Sequence, residues 1–420
     1  MNLLLWLSVM LLAGGATVGG HFQPARMLFV AIFLVQLARG KITISASPVQ
    51  RASLAIGVLF VAWGFVSLLW TPDPVRGAAE ILVVGLGFII VASMVSVMRQ
   101  DPPGAVSAMR RGWVSAFLLT LPIAVWELAT NQHVAPGFGP TQTGEGLAAS
   151  FFYTGVTFGN PNDYSTFIVF AFPFLLWSFS RTRSLLVRAA YVVLIVSAAF
   201  IVAVNGARLG LVGLVLEVTA LISFRVAVRR GFAAQVVLSL LLAVTIVGAF
   251  RFQPAALGRF RALAQGPEST GIRVALAING IELVERTGGI GVGAGGFERA
   301  VLYSGDMRSM SGIGNPHNLW IEVAAQYGVI VGLGFAGWVL FLLAVLVRAA
   351  RSRFIALRWR ELAMGGSYGV ALLIGLVPAG LMSSSVLQWA MLWVAIGSAT
   401  ALADASYIYI DRTAALGGVA

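Results

Sequence analysis

The chain is organised around the stretch Asn-Pro-His-Asn-Leu-Trp-Ile-Glu at residues 315–322, which opens an apolar run extending to Val347. Asn315 is a favourable N-cap residue, and Pro316 suits the first helical position because its missing N–H would have no partner there. This pattern predicts that His317 lies in the first turn of a helix, at the positive end of the helix dipole. A neutral imidazole at pH 7 is expected in that position. The alternative interpretation is a polar cap that merely ends a transmembrane helix.

The composition is that of a membrane protein. Hydrophobic residues make up 59% of the 420 residues and charged residues only 10%, and the mean hydropathy is +0.90. The chain contains no cysteine, which excludes disulfides, thiolate catalysis and cysteine-based metal sites. The formal charge is +12, but the arginines fall between apolar runs instead of along one face. They therefore indicate membrane topology, and no nucleic acid is expected as a partner.

Twelve apolar runs are each close to the length that a bilayer requires. The sequence therefore predicts an all-α polytopic integral membrane protein of about 12 transmembrane helices, with one large, partly helical external loop. Residues 1–250 would hold transmembrane helices 1–9, residues 251–316 the loop or lid, and residues 317–420 helices 10–12. The twelve predicted spans are 3–20, 22–38, 53–70, 79–98, 112–130, 163–180, 185–204, 209–224, 232–250, 317–347, 366–386 and 388–409.

The distribution of basic residues predicts the orientation of these helices. Alternate loops together with the C-terminal tail hold 18 lysines and arginines, whereas the short loops and span ends on the opposite side hold three: Arg26, Arg76 and Arg208. Positively charged loops face the cytoplasm in most membrane proteins. Both termini are therefore expected in the cytoplasm, and the long loop is expected outside.

Three polar side chains are expected at the outer face of the membrane. His317 begins the tenth span, Arg208 lies in the apolar turn between the seventh and eighth spans, and Arg273 lies in a helix predicted over 269–286. A cation in so short and apolar a turn costs desolvation energy unless it has an anionic partner, and an external anionic ligand would be one. The alternatives are snorkelling of Arg208 to lipid phosphate and a solvated helix charge for Arg273.

Other motifs are weaker. The glycine-rich segment 288–296 lacks the Lys-Ser/Thr ending of a phosphate loop. A flexible or closely packed turn is the expected structure, and backbone N–H groups around an anion are the weaker alternative. His21 and His133 are single histidines in outer loops, where solvated side chains are expected. The sequence contains no Asp-x-Asp motif and no His/carboxylate cluster with metal-ligand spacing. A metal site and a metal-dependent nucleotide-sugar transferase are therefore disfavoured, and no cofactor is expected.

One base and two guanidinium groups at the outer face suit a particular reaction, the attack of a hydroxyl on a carbon that bears a diphosphate leaving group. The histidine would accept the hydroxyl proton. Fixed arginines would bind and neutralise the departing diphosphate, a task otherwise given to Mg²⁺.

Several ordered segments resemble the O-antigen ligase and polymerase family. Residues 315–332 resemble its histidine–asparagine signature after a large periplasmic loop, and residues 205–210 (Asn-Gly-Ala-Arg-Leu-Gly) resemble its arginine turn. Residues 270–273 (Thr-Gly-Ile-Arg), followed by the glycines of 291–297, resemble its second arginine segment. Residues 159–164 (Gly-Asn-Pro-Asn-Asp-Tyr) resemble a segment that often precedes these.

The resemblance implies a metal-independent, inverting ligase of the inner membrane with a periplasmic active site. Such an enzyme moves a glycan from undecaprenyl diphosphate to the lipid A–core of lipopolysaccharide, and membrane lipids surround it. By position, His317 would be the base that activates the acceptor hydroxyl, and Arg208 and Arg273 would bind the donor diphosphate. Asn318 and Asn160 would support the site.

Three alternatives remain. Polymerases of the family often carry a glycine eleven residues after each arginine, and Thr219 and Val284 occupy those positions here. This difference favours a ligase over a polymerase. A ligase for teichuronic acid or another surface glycan would have the same pattern. A secondary transporter would keep ionisable residues in mid-membrane, and Glu217 is the candidate for such a residue.

Overall fold

The computed structural model describes residues 1–15, 23–42, 47–135, 153–230, 269–304, 316–352, 360–383 and 385–415. Within these ranges the chain forms α-helices and short 3₁₀ turns and no strand, which confirms the all-α class. The helices are α1 (Asn2–Met10), α2 (Pro24–Ala38), α3 (Pro48–Ser67), α4 (Pro74–Gln100), α5 (Pro102–Thr130), α6 (Pro161–Arg181), α7 (Leu185–Val204), α8 (Arg208–Arg230), α9 (Ser269–Arg286), α10 (Phe297–Tyr303), α11 (Leu319–Arg351), α12 (Arg360–Gly380) and α13 (Ala390–Ala415).

The helices coincide with eleven of the twelve predicted spans, and the span predicted at 232–250 lies outside the described residues. Among the described helices, seven are long and apolar enough to cross a membrane: α3, α4, α5, α6, α7, α11 and α13. Three shorter apolar helices fall on the first, second and eleventh predicted spans, and α8 falls on the eighth. The chain is therefore a polytopic membrane protein, and the total of twelve spans stays a prediction.

Local sequence explains where many helices begin. Five of them start with proline, which tolerates the first helical position because no intrahelical partner exists for its missing N–H. Polar N-cap side chains accept hydrogen bonds from the first free amides of α3, α4, α5 and α6, and these caps are Ser47, Asp73, Asp101 and Asn160.

The bundle has an enclosed centre and an apolar rim. α13 packs on α4, α12 packs on α8 and α11, and α1 packs on α5. α6 and α13 are largely enclosed by other helices, whereas most of α7 is exposed, as expected for a helix that faces lipid. One buried ion pair, between the Arg99 Nε and an oxygen of Asp404 at 2.6 Å, joins α4 to α13. Ser47, the N-cap of α3, also donates a hydrogen bond to Asp404, so the start of α3 is joined to α13 as well.

The glycine-rich segment, residues 288–296, is a closely packed turn, which is one of the two predicted forms. It pairs with a break in α11 at Gly328, where φ is +84° and ψ is 168°. The N–H groups of Val292 and Gly293 donate to the carbonyls of Ala325 and Gln326 at 2.8 and 3.0 Å. These carbonyls would otherwise lack hydrogen-bond partners next to the break. The glycine-rich segment therefore supplies the donors that the interrupted helix lacks. Its amides are consequently not available to cradle an anion.

Gly328→Ala should destabilise the protein by roughly 2 kcal/mol or more, because an L side chain strains this backbone conformation. A Cβ at Gly328 would also lie 2.6 Å from the carbonyl oxygen of Ile290. Gly337→Ala is the control, since it lies on the same helix and its Cβ would meet nothing within 4 Å. Thermal unfolding in detergent checks both variants, and equal unfolding temperatures for them would contradict the role assigned to the break.

Candidate functional site

His317 precedes the long helix instead of lying in its first turn. α11 begins at Leu319, and the Asn318 side chain is its N-cap, accepting hydrogen bonds from the amides of Trp320 and Ile321 at 3.1 and 3.2 Å. His317 has a φ of +48°, which a helical residue does not adopt. The prediction of a cap at Asn315, itself outside the described residues, with His317 inside the helix was therefore wrong. The cap is Asn318, three residues later.

The predicted neutral state of His317 has a different cause from the one expected. Burial of the imidazole and, to a smaller extent, the nearby positive charge of Arg273 together lower the pKa of His317 from 6.5 to about 4. The imidazole in the folded protein thus stays unprotonated, and able to accept a proton, at any pH well above 4.

Arg273 lies on α9, a helix found at the predicted bounds Ser269–Arg286. Burial lowers the pKa of its guanidinium, and the negative charge of Asp163 acts in the opposite direction. Arg273 thus lies within electrostatic range of both His317 and Asp163. The structure brings together two of the three predicted site residues, His317 and Arg273, and adds a carboxylate to them.

Asp163 and Ser383 are components of this site that the sequence pattern did not single out. Asp163 lies in the first turn of α6 and is 1% exposed. The hydroxyl of Ser383, which follows α12, donates to the Asp163 Oδ1 at 2.7 Å and is itself buried. Asp163 lies within residues 159–164, which resemble a family segment, and this was a signal in the sequence. Nothing local marked Ser383.

Arg208 is the first residue of α8 and is exposed. Its turn is fixed to α6 by Asn205, whose Nδ2 donates to the carbonyls of Thr154 at 2.9 Å and Pro161 at 3.1 Å. Pro161 opens the same helical turn that carries Asp163. Arg208 therefore starts its helix at the same end of the bundle as His317 and Asp163, which we call the site end. The Arg208 guanidinium faces the surface there, whereas Arg273 is largely buried.

The two predicted supporting asparagines are helix caps. Asn318 caps α11 directly behind His317, and Asn160 caps α6 by accepting from the Asn162 amide at 2.8 Å. Both residues therefore fix the backbone next to a candidate site residue. A direct contact of either side chain with a ligand stays a prediction.

A second buried polar cluster lies beside the start of α11, and sequence reasoning missed it. The Tyr327 hydroxyl donates to Glu80 at 3.1 Å, and the Gln388 side-chain amide reaches the other oxygen of Glu80 at 3.4 Å. Glu322, on the first turn of α11, lies within electrostatic range of Glu80 and accepts a hydrogen bond from Ser385. Because these carboxyl groups are distant in sequence, no local motif announces them.

His133 is not the solvated side chain that its loop position suggested. Its ring stacks on Tyr153 with centroids 4.1 Å apart, and its Nδ1 lies 3.9 Å from an oxygen of Glu127. Glu127 accepts hydrogen bonds from the backbone amides of Gly155 and Val156 at 3.0 and 2.9 Å. His133 therefore packs beside Glu127, whose hydrogen bonds hold the backbone at residues 155 and 156. His21 lies outside the described residues.

Comparison with known proteins bears on this geometry. Residues 193–336 match a sequence model of the O-antigen ligase family. The chain is thus similar to the O-antigen ligase family over about a third of its length. Three of the candidate residues, Arg208, Arg273 and His317, lie inside the matched segment, whereas Asp163 and Ser383 lie outside it. Proteins of this family join or polymerise lipid-linked glycans.

The chain is also similar to the teichuronic acid biosynthesis protein TuaE of Bacillus subtilis (strain 168). The two chains are 23% identical over 314 residues, which cover 69% of this chain and 60% of TuaE. The chain thus spans less than two thirds of the length of that relative.

The titration of His317 should depend on Arg273. In Arg273→Gln the imidazole loses a nearby positive charge, so its pKa should rise towards 6.5. Reaction with diethyl pyrocarbonate requires the neutral imidazole, and peptide mass spectrometry measures the extent of modification at His317 between about pH 3 and pH 7. Arg286→Gln is the control because Arg286 lies on the same helix but pairs with Glu282 at the surface. An unchanged titration midpoint in Arg273→Gln would show that the two groups are not coupled.

Proposed function

We propose that this protein is an O-antigen ligase, a glycosyltransferase that moves a glycan from undecaprenyl diphosphate to the lipid A–core of lipopolysaccharide. The reaction would occur at the periplasmic face of the inner membrane, without a metal ion and with inversion at the anomeric carbon. One observation carries the proposal: a neutral, proton-accepting imidazole lies beside a largely buried guanidinium within the segment that matches the family.

The proposed step uses these groups in the following way. The oxygen of the acceptor hydroxyl attacks the anomeric carbon of the donor and forms the new glycosidic bond. His317 accepts the hydroxyl proton, and the bond from the anomeric carbon to the diphosphate oxygen breaks with its electron pair on oxygen. Arg208 and Arg273 stabilise the departing diphosphate through charge-assisted hydrogen bonds. Attack opposite to the leaving group inverts the anomeric centre.

The environment of His317 supports its role as the base. A protonated imidazole could not accept the hydroxyl proton, and the low pKa of His317 keeps the ring neutral throughout the physiological range. The neighbouring Arg273 lowers this pKa and also supplies positive charge to a diphosphate. A single arrangement thus provides both the base and part of the anion site.

A second candidate function is ligation or polymerisation of another surface glycan. TuaE is a teichuronic acid biosynthesis protein, and the O-antigen ligase family includes polymerases. The products distinguish these activities. Capped lipid A–core would indicate the proposed ligase, longer lipid-linked chains a polymerase, and transfer to a different acceptor a ligase of another glycan.

His317→Ala should abolish glycan transfer, because a general base contributes about 10²- to 10⁴-fold to rate. The assay combines the purified protein with lipid-linked glycan and lipid A–core in the presence of a metal chelator, and gel electrophoresis resolves the product. His133→Ala is the matched control, since it removes a histidine that packs against Tyr153. Capped core formed at the wild-type rate by His317→Ala would remove histidine as the base. Loss of wild-type transfer on chelation would contradict metal independence.

Arg208→Ala and Arg273→Ala should weaken donor binding by about tenfold or more, because each variant removes a charge-assisted contact to the diphosphate. Equilibrium binding of undecaprenyl diphosphate to protein in nanodiscs measures this effect, with Arg286→Ala as the control. His317→Ala should bind almost as well as the wild type. Unchanged affinity in Arg208→Ala would support the alternative in which this exposed arginine contacts lipid phosphate.

A further inference from the structure

We propose that Asn205 is a positioning residue of this site and that its side chain fixes the place from which Arg208 reaches the donor diphosphate. Asn205 is the C-cap of α7, and Arg208 begins α8 three residues later. Both residues lie inside the segment that matches the family. The binding of a diphosphate by Arg208 rests on the proposed function, whereas the position of the Arg208 backbone does not.

The Asn205 side chain uses both of its polar atoms. Its Oδ1 accepts from the backbone N–H of Thr154 at 2.9 Å, and its Nδ2 donates to the Thr154 carbonyl at the same distance. Nδ2 also lies 3.1 Å from the carbonyl oxygen of Pro161 and 3.2 Å from the hydroxyl of Ser165. A carboxamide presents an acceptor and two N–H donors, so neither a hydroxyl nor a carboxylate could make the same set of contacts.

The partners of Asn205 belong to an enclosed part of the bundle. Thr154 and Ser165 are fully buried, and Pro161 opens α6, a helix that other helices largely enclose. Glu127 of α5 also holds this segment by accepting from two backbone amides just after Thr154. α7, by contrast, is exposed along most of its length. Asn205 therefore joins the end of an exposed helix to the enclosed interior.

The link from Asn205 to Arg208 is too short to absorb a displacement of either residue. Gly206 has a φ of +64°, which reverses the chain, and Ala207 is buried. The Ala207 N–H donates to the Val202 carbonyl at 3.2 Å, and the next N–H along the chain donates to the Gly206 carbonyl at 2.9 Å. A movement of the Asn205 backbone is consequently transmitted to the start of α8.

A fixed backbone matters for an exposed arginine. The Arg208 side chain faces the surface, so it loses rotational freedom when its guanidinium binds an anion. A loose turn would add the freedom of the backbone to that loss. Asn205 removes this additional freedom before the ligand arrives. It should therefore strengthen donor binding through Arg208, with no contact of its own to the diphosphate.

Asn205→Ala should weaken binding of undecaprenyl diphosphate by about three- to tenfold, and by no more than Arg208→Ala does, because the arginine remains but is no longer held in place. Adding Asn205→Ala to Arg208→Ala should cause no further loss, since the asparagine acts through the arginine. Equilibrium binding to folded protein in nanodiscs measures the wild type and all three variants. Losses that multiply in the double variant, or wild-type affinity in Asn205→Ala, would overturn the proposal.

Gln23→Ala is the matched control. The Oε1 of Gln23, the residue before α2, accepts from the backbone N–H of Ala390 at the start of α13 at 3.0 Å. Gln23 is thus a buried carboxamide that joins two helices, as Asn205 does, but it lies away from the Arg208 turn. The control should lower the unfolding temperature and leave the affinity for undecaprenyl diphosphate unchanged. A merely structural role for Asn205 predicts that Asn205→Ala behaves in the same way, and that result would refute the positioning role.

A measurement without ligand keeps this proposal separate from the proposed function. The chain has no cysteine, so nitroxide labels on Arg208→Cys and Arg181→Cys report one distance, from the turn to the far end of α6. The length of α6 makes this distance roughly 30 Å, which suits pulsed electron spin resonance. Adding Asn205→Ala should broaden the distance distribution, and adding Gln23→Ala should not.

The two experiments have distinguishable failures. An unchanged distance distribution in the presence of Asn205→Ala would refute the positioning role, because the turn would then be held without this side chain. A broadened distribution in a protein that does not bind undecaprenyl diphosphate would support the positioning of Arg208 by Asn205 and refute the ligase assignment.

Discussion

Burial of the Arg273 guanidinium is the constraint on which the site depends. A cation removed from water needs negative partners nearby, and Asp163 supplies one from the first turn of α6. Burial of the imidazole and the positive charge of Arg273 together keep His317 unprotonated. A diphosphate would be a second anionic partner for Arg273. The anion affinity of the site and the proton-accepting state of its base thus have a common physical origin.

The scaffold brings Arg273 and His317 together through the glycine-rich segment. α9, which carries Arg273, ends directly before this segment, and α11 begins just after His317. Backbone hydrogen bonds between residues 289–293 and the break at Gly328 join the two elements. Only a glycine fits this close approach without strain at the break. The break in α11 is therefore part of the support of the site, since it lets one helix carry His317 at its start and still pair with the segment that follows Arg273.

Hydrophobic periodicity was sufficient to predict the helices, because runs as long as a bilayer have few alternative structures. The bounds of α7 and α9 agree with those read from the sequence. The predicted N-cap of α11 was wrong by three residues. Both Asn315 and Asn318 are favourable cap residues, and only the tertiary structure selects between them. The Asp163–Ser383 contact and the Glu80–Tyr327 contact join residues about 220 and 247 positions apart, so no local pattern reveals them. The left-handed backbone of His317 could not be predicted from the sequence either, because only a small fraction of histidines adopt that conformation.

The most direct test of this account is an experimental structure of the protein with bound undecaprenyl diphosphate. The account predicts that the diphosphate lies at the site end with its oxygens within hydrogen-bonding distance, about 3 Å, of both the Arg208 and Arg273 guanidinium groups. The imidazole of His317 should face the position of the anomeric carbon. A diphosphate bound at another place, or Arg208 directed at lipid while Arg273 alone contacts the ligand, would contradict it.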